Sequence, residues 1–219
     1  MNKIYKILFL LLMLLALSST AIAQTGKTYH LTLLAVQEGS AQYAGSEADL
    51  FLELKEGTGR VFLDTYPLTK LDTQISTRFA KDITCSHFKL DCGRYDFIYT
   101  IKSKSNIIGG PSAGAAIAAL TTIAVLDLPY DDDVTITGTV NSGGIIGPVG
   151  GVKEKIEAAS QAGLRKVLIP KGMEMYTSAP EMTPELNQTS APLNETPLNE
   201  TFVNLTLYAK ENLSLEVKE

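Results

Sequence analysis

Gly109-Gly110-Pro111-Ser112-Ala113-Gly114 runs directly into Ala115-Ala116-Ile117-Ala118-Ala119. This turn, and the small-residue helix read over 112–126, organise the chain. The alanines at 115, 116, 118 and 119 leave the helix almost without bulk, so neighbours can approach it closely. Ser112 is expected at the helix start, where unpaired backbone N–H groups and the positive end of the dipole favour negative charge. That setting suits a nucleophilic oxygen and a developing oxyanion. The plain alternative is that Ser112 only caps the helix, a common role for serine.

A second helix is read from Val152 to about Ala162, opened by Gly150-Gly151 and ended by Gly163. With Val152 at 0° and about 100° per residue, Ile156 falls at about 40°, Ala159 at about 340° and Ala162 at about 280°. Lys155 falls at about 300°, inside this apolar stripe. Lys153, Glu154, Glu157 and Gln161 fall between about 100° and 200°, on the wet face, where Lys153 can pair with Glu157. A lysine on an apolar stripe either snorkels to the edge or loses its water. If desolvated, its ammonium form is penalised. A fall from about 10.4 to about 7–8 costs roughly 4 kcal/mol and leaves an amine able to take a proton from serine. Serine and lysine can replace the usual serine–histidine arrangement.

The remaining chain supplies context. It has 219 residues, a net charge of −5, two Cys and two His, with no basic cluster of the kind that binds nucleic acid. Residues 1–23 read as a signal peptide: Lys3 and Lys6, an apolar run from Ile7 to Leu17, and Ala21-Ile22-Ala23 before Gln24. An uncleaved N-terminal anchor is the alternative, and membrane attachment is expected only in that case. Either reading places the chain outside the cytoplasm, secreted or extracytoplasmic.

Strands are read at Thr28–Val36, Ala48–Leu54, Arg60–Leu63, Tyr95–Ile101, Val134–Val140 and Lys166–Ile169. Ala48–Leu63 reads as a hairpin around Glu56-Gly57-Thr58-Gly59. Thr69–Phe79 reads as a helix with Leu71, Ile75 and Phe79 on its apolar face. Cys85 and Cys92 read as a disulfide in an exported chain. Free thiols, or a zinc site with His87 and His30, are the alternatives, and the spacing fits no usual zinc pattern. The acids in Asp127–Asp133 lack calcium-loop spacing. Neither metal nor cofactor is expected. Residues 24–175 read as the domain and 176–219 as a Pro/Thr/Asn-rich tail. Sequons at Asn187, Asn194, Asn199, Asn204 and Asn212 make that end a candidate glycosylated stalk, and Thr201–Val217 alternates enough to pair as a strand.

The Gly-Pro-Ser-Ala-Gly motif, the block Gly150–Ala159 continued by Gln161–Pro170, and the interval of 43 residues between Ser112 and Lys155 resemble the proteolytic domain of Lon proteases, peptidase family S16. The likeness is strongest over about 109–171, and the archaeal membrane-type Lon is the nearest pattern. It implies an α+β fold of the ribosomal S5 domain 2-like type, with helices packed on a mixed sheet. It also implies a serine endopeptidase with Ser112 as nucleophile, Lys155 as base and Thr137 orienting the amine. Backbone N–H groups at Gly110 and Ala113 are the candidate oxyanion donors.

Two departures stand out. Gly109 replaces the acidic residue that Lon carries three before the serine, and these residues contain no G-x-x-x-x-G-K-[ST] nucleotide loop. The implied activity is therefore ATP-independent, on peptides or unfolded proteins, with homo-oligomerisation left open. A non-catalytic scaffold on a peptidase fold is the alternative function. A GHMP-type small-molecule kinase matches the glycine turn but not the Lys155 block.

Overall fold

The computed structural model describes residues 26–36, 44–178 and 201–219. The segment read as a signal peptide and the sequons at Asn187, Asn194 and Asn199 lie outside the described residues. Strands β1 (Thr28–Val36), β2 (Gly45–Glu56), β3 (Val61–Thr69) and β4 (Tyr95–Ile108) form a mixed four-stranded sheet in the order β1-β2-β4-β3. Successive side chains in a strand point to opposite faces. Leu31 and Leu33, Leu50 and Leu52, and Phe97, Tyr99 and Ile101 are all buried on these alternating positions. Ile117, Leu120 and Ala124 from helix α2 (Gly114–Leu126), and Ala80 from helix α1 (Leu71–His87), complete this core. The phenol of the fully buried Tyr99 is satisfied, with its Oη 2.7 Å from Thr121 Oγ1.

The turn at Glu56–Gly59 forms, but β2 and β3 do not make the expected hairpin. β4 lies between them, antiparallel to β2 and parallel to β3. The hydrogen-bonding groups of the turn are spent on the start of β4. Gly57 and Gly59 donate to the Arg94 and Tyr95 carbonyls at 3.0 and 2.9 Å. The Asp96 carboxylate accepts the Thr58 and Arg60 N–H groups at 2.8 and 3.0 Å. The parallel neighbours β3 and β4 then need a crossover, which α1 supplies.

α1 is longer than expected, with 17 residues, and its faces are reversed. Leu71, Ile75 and Phe79 point outward, 68%, 58% and 38% exposed, while Thr73, Thr77, Ala80 and Thr84 are buried. The helix packs against the alanine-rich α2, where small side chains permit close approach. The buried threonine at 77 returns its hydroxyl to the Thr73 carbonyl at 2.8 Å. A disulfide joins Cys85, near the end of α1, to Cys92.

A second core gathers the rest of the chain. Strands β5 (Val134–Ile136), β8 (Lys166–Leu168) and β11 (Glu216–Lys218) form a parallel sheet in the order β11-β8-β5. Helix α3 (Val152–Gln161) and helix α4 (Leu205–Asn212) pack with it, burying Leu34, Val152, Ile156, Ala159, Val167, Leu205, Leu215 and Val217. A Cβ at Gly45 would stand 1.9 Å from the Glu154 carbonyl oxygen, so α3 reaches β2 only because that residue has no side chain.

The boundary at 176 is corrected accordingly. Strand β9 (Met175–Ser178) pairs with β10 (Thr201–Asn204), and 201–219 belongs to the packed domain. Apolar residues at 205, 209, 215 and 217 carry it into the core. Asn204 and Asn212 therefore sit on folded backbone. Asn204 caps α4, accepting the Leu207 N–H at 2.9 Å, and Asn212 donates to the Tyr208 carbonyl at 3.1 Å.

Replacing Cys85 and Cys92 together by Ser frees a short loop in the unfolded chain. Urea unfolding is predicted to report a loss of about 2–3 kcal/mol.

Candidate active site

Three elements converge on the turn at Gly110–Ala113. The first is the end of β5. Residues 134–140, read as one strand, divide into β5 and β6 (Thr139–Val140), the latter paired with β7 (Ile146–Gly147). The break has a cause. Thr137 still donates to the Leu168 carbonyl at 3.0 Å, but Gly138 turns away from the sheet. Its N–H donates to the Ser112 carbonyl at 3.0 Å, and its carbonyl accepts the Ala115 N–H at 2.9 Å. A Cβ at Gly138 would meet Ile146 Cγ2 at 2.4 Å, so only glycine passes here.

The second element is α2. It begins at Gly114 with Ala113 as N-cap and no side-chain capping bond. Ser112 lies in the preceding turn, closed by Gly114 N–H donating to the Pro111 carbonyl at 3.0 Å, and is half-buried. Ser112 is thus set just outside the helix rather than acting as its cap.

The third element is the first turn of α1. Lys70 N–H donates to the Ile108 carbonyl at 2.8 Å. Asp72 Oδ2 accepts the Gly110 N–H at 3.0 Å, and Thr73 Oγ1 donates to the Gly110 carbonyl at 3.3 Å. Asp72 and Thr73 were not legible as site residues, since nothing local ties them to a turn nearly forty positions away. With its N–H directed at Asp72, Gly110 is occupied as a donor in this arrangement. Ala113 is the other position read as an oxyanion donor.

Lys155 faces inward from α3, 3% exposed. Its Nζ donates to Thr137 Oγ1 at 3.2 Å, and Thr137 Oγ1 in turn points to the Ser112 carbonyl at 3.5 Å, the outer limit of a hydrogen bond. Among the described residues no hydrogen bond joins Ser112 Oγ directly to Lys155 Nζ, and Thr137 is the link between them. Burial alone pulls the Lys155 amine down to about 8, with no carboxylate acting to raise it. Lys153, two positions earlier, has the opposite fate. Partial burial lowers it, but its 3.2 Å pair with Glu157, together with the nearby Tyr208 and Glu154, leaves it raised overall.

The cysteine sulfurs are consumed by the disulfide, and His30 Nε2 is 2.9 Å from Asp49 Oδ1, so the zinc alternative loses its ligands. Arg165 occupies Asp131 and Asp133 at 3.0 and 2.9 Å. Among the described residues no cluster of His, Cys, Asp and Glu could hold a metal ion.

The buried amine carries a stability cost with a definite sign. Between about 8 and its unfolded value, the unfolded chain holds the proton and the folded chain does not, so stability rises with pH there. Below about pH 8 the folded state bears a desolvated ammonium. Lys155→Met is predicted to stabilise the protein by about 2–3 kcal/mol at pH 7, with the advantage shrinking toward pH 10 in denaturant melts.

Comparison with known proteins bears on the same segment. Residues 105–186 match the family model of the Lon protease (S16) C-terminal proteolytic domain, a stretch that contains Ser112, Thr137 and Lys155. The chain is 48% identical over 63 residues to Lon protease 2 of Bacillus subtilis, covering 29% of this chain and 11% of that protein. It is 48% identical over 64 residues to the archaeal Lon protease of Archaeoglobus fulgidus, covering 29% and 10%. It is 39% identical over 84 residues to that of Pyrococcus abyssi, covering 38% and 8%. The aligned stretch thus spans roughly a tenth of the length of these relatives. Bacterial and archaeal proteins match at equal identity, so the similarity singles out no subclass. These matches make residues 105–186 similar to the C-terminal proteolytic domain of Lon proteases.

Proposed function

We propose that this chain is an exported, ATP-independent endopeptidase that cleaves peptides or unfolded proteins with Ser112 as nucleophile and Lys155 as general base. The observation that carries the proposal is the state of Lys155: an amine 3% exposed, pulled down to about 8, and tied through Thr137 to the backbone of Ser112. An uncharged amine keeps a lone pair for the serine proton while one of its N–H groups is held by Thr137. As the Ser112 oxygen attacks the peptide carbonyl, its proton passes to Lys155. Backbone donors, with Ala113 foremost, hold the oxyanion. Collapse breaks the C–N bond, and the lysine returns its proton to the departing amine. Water then hydrolyses the acyl-serine, with Lys155 again taking the proton. Direct approach of Nζ to Oγ, which the described residues do not contain, is assigned to the substrate-bound state, where catalytic hydrogen bonds commonly tighten.

Export is supported by the basic, apolar N-terminal sequence, by the Cys85–Cys92 disulfide and by the sequons. ATP independence is the reading of the steps above, none of which consumes a nucleotide.

Ser112→Ala and Lys155→Ala are each predicted to abolish hydrolysis of unfolded casein, by about a thousandfold or more. Lys153→Ala, altered on the wet face, should retain wild-type rates. Residual wild-type activity in either of the first two variants contradicts the assignment. The pH profile of kcat/KM should rise to a plateau with a midpoint near 8, the value to which burial brings the base.

A further inference from the structure

Gly110 adopts φ +92°, in the left-handed region. Glycine enters that region about as readily as its mirror image, so its own preference does not fix the turn. Gly109 beside it adds a second loose joint, three residues before Ser112. The polar groups of Gly110 are gripped from outside the turn. Asp72 Oδ2 accepts its N–H at 3.0 Å and Thr73 Oγ1 donates to its carbonyl at 3.3 Å. An ordinary role for Asp72 exists at the start of α1, where a carboxylate can satisfy a free N–H. That role uses the other oxygen, Oδ1, which accepts the Thr73 N–H at 2.7 Å. Oδ2 is left for the turn.

The two halves of the grip act on different degrees of freedom. Holding N–H and carbonyl together fixes both peptide planes flanking Gly110. Pro111 follows, with its φ locked by the ring. The direction in which the chain reaches Ser112 is then set by Gly110, while Gly138 holds the Ser112 carbonyl and the Ala115 N–H from the far side.

We propose that Asp72, assisted by Thr73, is a positioning residue for the nucleophile: it locks Gly110 in the left-handed conformation and so aims Ser112 Oγ at Lys155. The proposal rests on the peptidase reading above. It assigns Asp72 no contact with substrate and no proton transfer. It also leaves the oxyanion to donors other than the Gly110 N–H, which the carboxylate holds.

The test uses the full chain, with Asp72→Ala, Asp72→Asn and Thr73→Val compared on a fluorogenic peptide and by amide hydrogen exchange at Gly110. Asp72→Ala should lower kcat about tenfold to a hundredfold with KM within about twofold, as misplacement of a reacting group does. Its Gly110 amide should exchange at least about tenfold faster than in the wild type. Asp72→Asn keeps one acceptor oxygen, enough for the Gly110 N–H but not for the Thr73 N–H as well, so it should lose clearly less kcat than Asp72→Ala, a partial rescue that a role through charge would not give. Thr73→Val should lower kcat by less than Asp72→Ala, and it supplies the answer if the alanine variant does not fold. A folded Asp72→Ala protein with wild-type kcat, a loss confined to KM, or slow Gly110 exchange that survives the substitution overturns the proposal. A wild-type protein as inert as Ser112→Ala would instead sink the peptidase reading. The grip is then judged by Gly110 exchange and the Ser112 amide resonance, and fast wild-type exchange or an unshifted resonance in Asp72→Ala overturns it.

Discussion

Removing water from one amine is the constraint on which the site depends. Lys155 sits on the same face of α3 as Val152, Ile156 and Ala159, all buried. Its ammonium form has no carboxylate to stabilise it, only the Thr137 hydroxyl. Such a placement is unfavourable by itself and persists because the packing around it is extensive. The second core is closed by Leu205, Ala209, Leu215 and Val217, from the last part of the chain. A C-terminal segment far from the nucleophile in sequence therefore packs with the helix that carries the candidate base. Gly45 contributes from the other side by letting α3 press onto β2.

The nucleophile turn is held with comparable care. α1 grips Gly110, and Gly138 bonds to Ser112 and to the first turn of α2. The interruption of the strand at Thr137 and Gly138 serves both partners at once. The hydroxyl of Thr137 receives the lysine, and the peptide groups of Gly138 dock the serine turn. A continuous strand could not do both, because its backbone groups would be committed to the sheet. The carboxylate that bonds to this turn comes from Asp72 on α1, while position 109 carries glycine.

Legibility in the sequence followed the range of the interactions. Lys155 was separable from Lys153 because helical periodicity is local, and burial and pairing follow that geometry. The disulfide pairing of Cys85 with Cys92 was legible because only two cysteines exist. The strands of the first sheet were legible from alternation, but their order was not. Turn chemistry at Glu56–Gly59 says that the chain reverses and does not say that β4 will enter the gap. The exposed face of α1 was misjudged because apolar periodicity names a stripe without saying which neighbour the helix meets. Here the neighbour is an alanine surface that threonines fit better. Composition marked 201–219 as tail, although four apolar positions suffice to bring it into a core. Asp72 and Thr73 act across nearly forty residues, and such contacts leave no local pattern.

The central claim is that burial pulls the Lys155 amine down to about 8, within reach of a working base, while the Lys153 amine stays raised. NMR titration of the lysine side chains in Ser112→Ala protein, assigned by comparison with Lys155→Met, addresses it directly. A midpoint near 8 for Lys155, with Lys153 remaining above its ordinary value, is the predicted result. A Lys155 midpoint at or above the ordinary 10.5 would contradict it and remove the base from the site.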